Sequence, residues 1–177
     1  MAILAKLGLL SSAQDLVAGA VASTNQILDS AIVGFGPADL WWHIENETIH
    51  DGNGGSNSTY VFSLRVATST ALTTYKEVLS VTITGALDKR LLTLGQSIVA
   101  ANVGNMLVQA IKDFRTEQSL ADTDSVYIGV MNTLADGTGD ANISVNCALT
   151  PGKPRTEDSA LKVESNVTVP GFASAGS

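Results

Sequence analysis

The stretch W-W-H-I-E-N-E-T-I-H-D, from Trp41 to Asp51, contains both histidines of the chain. Read as a strand, it sets Trp41, His43, Glu45, Glu47 and Ile49 on one face, because side chains alternate with a period of two. A histidine with two carboxylates at alternate positions has the ligand types of a divalent-metal site, and His50 extends the set. The same pattern also suits a strand whose tryptophans anchor packing and whose acids face water. A catalytic Glu–His pair would need a nucleophile or an oxyanion motif, and the flanking sequence offers neither. Oxygen-rich turns give a second candidate, since Asp136 and Asp140, with Asp122 and Asp124, carry ligands for a loop calcium ion. They lack the spaced ligand set of an EF-hand, and ordinary turn chemistry also accounts for aspartates there. Cys147 is the only cysteine. It alternates with Ile143, Val145 and Leu149 and reads as a small buried hydrophobe, and no intrachain disulfide is available. No G-x-x-x-x-G-K-[ST] loop occurs; the D-G-N-G-G-S-N-S run from Asp51 to Ser58 reads as a hairpin tip. The expectation is no resident cofactor.

The elements that must carry these residues are clearest between Ser58 and Phe114. Tyr60, Phe62, Leu64 and Val66 alternate with Ser63, Arg65 and Ala67, so a strand is expected. A second strand over 74–84 places Tyr75, Leu79, Val81 and Ile83 on one face, and the short connection from Thr68 to Thr73 predicts an antiparallel pair. The period then changes. Val99, Val103, Met106, Leu107, Ala110, Ile111 and Phe114 form a stripe at spacings of three and four, which predicts an amphipathic helix over about 93–117. Thr93 and Gln96 read as its capping box, Lys112 and Arg115 suit its C-terminal dipole, and Gly104 suggests a close backbone approach. Three more alternating segments follow a polar acidic link over 118–125: Val126, Ile128 and Val130; then Ile143 to Leu149; then Leu161, Val163, Val167 and Val169. Upstream, Leu16, Val17, Ala20 and Val21 predict a helix from Ser12 to Val21. The fold class expected is therefore α+β and β-rich: an antiparallel sheet or sandwich with one central amphipathic helix and an N-terminal helix. The domain organisation expected is an apolar helical arm over 1–36, one β-rich domain over 37–169 and a small-residue tail over 170–177.

Composition narrows the function. Charged residues make up 15% of the chain, against about 25% in ordinary soluble domains. Ser, Thr, Asn, Gly and Ala take their place and make a surface suited to contact with other protein. A net charge of −7 and scattered basic residues, of which only Lys89 and Arg90 adjoin, argue against a dedicated nucleic-acid binder. No apolar run is long enough to span a bilayer, and Leu7 to Leu10 is too short a core for a signal peptide. The N-x-[ST] triplets at Asn46, Asn57, Asn142 and Asn166 are therefore read as unmodified. The small-residue tail and the apolar N-terminal segment are expected to be held by a neighbouring subunit.

In size, composition and β-rich pattern the whole chain resembles small bacteriophage virion proteins: shell, decoration or tail-tube subunits. The order of hairpin then helix is also similar to coat proteins of single-stranded RNA phages, although those present a basic sheet face and this chain is acidic. The resemblance implies a non-enzymatic homo-oligomeric subunit located in the virion, whose partners are copies of itself and other virion proteins. Interface or core anchors are then expected at Trp41, Trp42, Tyr60, Phe62 and Phe172. The alternatives are an extracellular adhesin or carbohydrate-binding β-module with loop calcium, and a metal-dependent enzyme at His43, Glu45, Glu47 and His50.

Overall fold

A computed structural model describes residues 8–16, 19–32, 39–46, 59–84, 97–135, 144–152 and 167–168. Among the described residues, ten strands form two antiparallel sheets, with one α-helix. The smaller sheet has the order β1-β9-β4-β7, from Leu9–Asp15, Ser144–Pro151, Leu40–Asn46 and Ser97–Asn102. The larger has the order β10-β6-β5-β8-β2, from Val167–Thr168, Tyr75–Thr84, Thr59–Ala67, Tyr127–Ala135 and Gly19–Ala22. β3 (Ile27–Leu28) also pairs with β8, and a 3-10 turn follows at Asp29–Ile32. The expected β-rich class with a helix thus holds, as does the β5–β6 hairpin.

The register explains which side chains meet. On the inner face of the larger sheet, Tyr60, Phe62, Leu64 and Val66 of β5 stand between Ile83, Val81 and Leu79 of β6 and Leu134, Val130 and Ile128 of β8. All four β5 residues are fully buried; each such side chain contributes about 1.5–3 kcal/mol on leaving water. Trp42, Ile44, Val145, Cys147 and Leu149 of the smaller sheet join the same core, with Leu107, Ala110 and Phe114 of the helix. The helix α1 spans Gly104–Glu117 and packs on β6 and β5. Lys76, at the end of the inner face of β6, meets Glu117 and lies 3.8 Å from Asp113. These contacts fasten the helix to the hairpin and hold the Lys76 ammonium above its ordinary range.

Three expectations need correction, and a bulge accompanies two of them. No N-terminal helix forms over Ser12 to Val21: β1 pairs with β9 and β2 pairs with β8. The stripe expected there joins Leu16, just after β1, with Ala20 and Val21 of β2, so its helical spacing runs across two strands that belong to different sheets. The central helix begins at Gly104, because Ser97–Asn102 is a strand paired with β4. Ile98 is the bulged residue there, and it lies buried beside Val99. Val103 takes the N-cap place without a side-chain cap, while Asn102 Oδ1 accepts from the Gly104 amide at 3.3 Å; Thr93 and Gln96 lie outside the described residues. The stripe from Val103 to Phe114 otherwise packs as expected. Finally, Tyr75 does not share a face with Leu79, Val81 and Ile83. Leu64 pairs with Leu79 but Arg65 with Glu77, so Val78 is an extra residue and the faces exchange beyond it. Tyr75 is accordingly 42% exposed.

The 118–125 link is held at the helix end. Ser119 adopts a left-handed conformation (φ 54°) and the Leu120 amide donates to the Arg115 carbonyl at 2.9 Å, closing the last turn. The Arg115 guanidinium then donates to Asp29 and to the Asp124 carbonyl, each at 2.7 Å, and to the Ala121 carbonyl. Three stretches of chain are tied by one side chain.

Candidate functional site

β4 is central in the smaller sheet, and its alternation places Trp42, Ile44 and Asn46 on one face and Trp41, His43 and Glu45 on the other. His43 lies opposite Ala148 of β9 and Ala100 of β7, small residues that leave room for the ring. Its Nε2 lies 3.2 Å from Ser97 Oγ. The two side chains are 7% and 6% exposed, and burial lowers the pKa of the imidazole, which favours the neutral ring. This pairing orients the ring inside the protein. Glu45 continues the face, opposite Asn146 and Ser97. The Trp41 indole donates to Asp39 Oδ1 at 3.2 Å. Among the described residues, no three His, Cys, Asp or Glu side chains gather closely enough to hold a metal ion; Asp122 and Asp124 lie within the link. Glu47, His50, Asp136 and Asp140 lie outside the described residues.

Behind β4, the Trp42 indole donates to Cys147 Sγ at 3.3 Å, inside the core. Burial pushes the Cys147 thiol up to about 12, so it stays protonated and unreactive at neutral pH. Of the five expected anchors, Trp42, Tyr60 and Phe62 are completely buried within the single chain and serve its core. Trp41 is half-buried, and Phe172 lies outside the described residues.

The feature that sequence reading missed is the outer face of the larger sheet. Beyond the Val78 bulge, Tyr75 and Glu77 stand beside Ala67 and Arg65. The Arg65 guanidinium carbon lies 3.6 Å from the Tyr75 ring centroid, a cation–π stack. Arg65 also donates to Ser63 Oγ at 3.0 Å and to the Leu72 carbonyl at 3.2 Å, while the Ser63 hydroxyl donates to Glu77 at 2.7 Å. Leu72 itself is buried against Ala67 and Met131. It fits because position 129 is glycine: a Cβ there would come within 2.9 Å of Leu72 Cδ1. The result is a small second core capped by an ordered polar cluster. The signal in the sequence was the pair Val78–Leu79, two adjacent apolar residues that break the alternation.

A further polar cluster bridges the sheets. Gln14 of β1 accepts from the Ser11 hydroxyl and, at 3.4 Å, from the Asn132 amide, and donates to the Ala22 carbonyl at 2.8 Å. Asn132 Oδ1 is buried without a hydrogen-bond partner among the described residues. At the helix end, an open groove of about 520 Å³ is lined by Lys112, Arg115, Thr116, Ser119, Leu120 and Asp122. Its Arg115 is already committed to Asp29 and the link. Among the described residues no helix is long and apolar enough to cross a membrane. Comparison with known proteins finds no matching family model, no matching curated sequence and no matching solved structure.

Proposed function

We propose that this chain is a structural subunit of a homo-oligomeric assembly, a virion shell, decoration or tail component, that acts through protein–protein contacts. The observation that carries the reading is the chemistry of the sheet edges. β1 contains one charged residue, Asp15, and β2, β3, β7 and β10 contain none. None of these five strands contains Lys or Pro, the residues with which monomeric sheet proteins blunt an edge against pairing. β6, which β10 covers at only two positions, does carry Lys76 and Glu77, so the reading rests on the other edge strands, whose mostly uncharged side chains among the described residues suit burial by a neighbour. The low overall charge supports the same reading.

Sedimentation of the purified protein, with electron microscopy of the same sample, tests the proposal. Discrete oligomers or particles are expected. A stable monomer across the micromolar range would overturn it.

A further inference from the structure

Among the described residues the two exposed large hydrophobic side chains are Tyr75 and Leu28, 42% and 39% accessible. They are far apart in sequence yet share one row across the larger sheet. The register runs from Tyr75 of β6 through Ala67 of β5 and Tyr127 of β8 to Leu28 of β3. Residues paired across a sheet point to the same side, so the row lies on the outer face, next to the Arg65–Glu77 pair. Neighbouring strands stand about 4.8 Å apart, which puts Tyr127 about 10 Å from Tyr75 along the row. Leu72 packs on Ala67, the small residue between them.

The β6 end of this row is held in a fixed arrangement. The Arg65 guanidinium takes one face of the Tyr75 ring, 3.6 Å from its centroid, so the exposure of the ring falls on its other face and its edge. That guanidinium is itself fixed by Ser63 Oγ and the Leu72 carbonyl, which accept from it at 3.0 and 3.2 Å. Glu77 is exposed and stands two residues along the same strand, about 7 Å from Tyr75. The buried Ser63 hydroxyl donates to its Oε2 at 2.7 Å, and Oε1 accepts no further bond among the described residues. Ordering an exposed ring and an exposed carboxylate costs side-chain entropy, while their outward surfaces cover no core. A ligand gains from that order, because the groups it meets are already in place.

We infer that this row is a binding site for a neutral carbohydrate, with one pyranose ring stacked on the open face of Tyr75 and a hydroxyl of that ring donating to Glu77. An aromatic face beside a carboxylate suits two kinds of ligand, an organic cation or a hydroxyl-rich ring. Arg65 decides between them. A second cation on the opposite face of Tyr75 would stand roughly 7 Å from the guanidinium and be repelled by it. The C–H groups on one side of a pyranose carry no charge and pack on an aromatic face by dispersion, while an ionised carboxylate is a strong acceptor for its hydroxyls. Tyr127 and Leu28 continue the row for a second sugar ring. The inference is independent of the assembly reading and adds a ligand to an exposed face of the subunit.

The test uses the full chain with isotope-labelled tyrosine rings, titrated by NMR with cellobiose, maltose, lactose and diacetylchitobiose at millimolar concentrations. The chain has three tyrosines, and Tyr60, fully buried, is the internal control. At least one disaccharide should shift the Tyr75 and Tyr127 signals to saturation and leave Tyr60 in place. Tyr75→Ser and Glu77→Gln should each weaken that binding about tenfold, while Tyr75→Phe, which keeps the ring, should hold it within about twofold. No shift with any of the four sugars overturns the inference, as does binding that survives both weakening variants. Tetramethylammonium chloride is titrated alongside, and a shift with this cation in place of the sugars also overturns it. If no sugar binds and Tyr75→Ser turns oligomers into monomers on sedimentation, the row is an interface between copies: the inference fails and the assembly reading stands. Sugar binding by a chain that sediments as a monomer has the opposite meaning.

Discussion

The inner face of β5 in the larger sheet is Tyr60, Phe62, Leu64 and Val66, four fully buried residues in strict alternation, whereas the smaller sheet buries Ser11, His43, Asn46, Ser97 and Ser144 alongside Trp42 and Ile44. The larger sheet grows around the β5–β6 hairpin, whose strands are joined by a short turn closed by the Thr68 amide donating to Thr74. The smaller draws β1, β4, β7 and β9 from four distant parts of the chain. The difference concerns how register is specified. For most of the hairpin, up to the Val78 bulge, alternation and closeness in sequence specify the register, since a slip of one residue would expose the whole apolar face. Where strands meet from afar, paired polar groups such as His43–Ser97 and Ser144–Asp15 penalise a wrong register, because a slip would leave His43, Ser97 and Ser144 buried and unpaired.

The largest expected effects come from emptying each half of the core. Trp42→Ala and Phe62→Ala should each cost about 3–5 kcal/mol in chemical denaturation. The Trp42 variant alone should also make Cys147 reactive toward thiol reagents under native conditions, because the indole shields Sγ. Equal labelling of Cys147 in both variants would show that the sheets open together rather than separately.

The contrast in polar groups can be inverted by substitution. Asn132→Leu removes the one buried side-chain acceptor that lacks a partner among the described residues and should stabilise by about 1 kcal/mol. Ser144→Ala removes a satisfied bond to Asp15 and should cost about 1 kcal/mol. Thermal melts of the two variants shifting in the same direction would contradict the distinction drawn between the sheets. Outside the core, Tyr75→Ser deletes the stack on Arg65 and should cost only about 0.5–1 kcal/mol.

The smallest effect is a pH dependence confined to the smaller sheet. The pKa of His43 is lower folded than unfolded, so between the two values the unfolded chain binds more protons. Stability from this residue is therefore complete above about pH 6.5, the unfolded value. It declines as pH falls below that value toward the folded one. Urea midpoints measured from pH 8 to pH 5 should show the decline, and His43→Gln should flatten it.

Much of this architecture was legible in the sequence wherever strands alternate without interruption. β5, β8 and the helix stripe from Val103 to Phe114 follow directly from their periods. Two misreadings fall on β6 and β7, each of which carries a bulge, and the third runs across β1 and β2, which belong to different sheets. One inserted residue shifts the phase of the pattern. After it, Ile98–Val99 imitates the opening of a helix and Tyr75 is assigned to the wrong face. The candidate site was less legible still. Trp42 was visible as an anchor, but that it meets Cys147, and that His43 meets Ser97 rather than a metal set, depends on strand pairs separated by 105 and 54 positions. Periodicity carries no information over such distances.

The place of β9 in the strand order has a consequence for synthesis. Both β1 and β4 pair with it, and Leu9 has no ladder partner in the smaller sheet before Ala148 is made. At about 5–20 residues per second on the ribosome, the first strand waits roughly ten seconds with its leucines uncovered. The hairpin of the larger sheet can close meanwhile. Nascent chains in one polysome therefore display the same sticky strand side by side. Slower elongation beyond Ala135 should raise the share of chains lost to aggregation, and a chaperone that covers residues 9–15 should lower it.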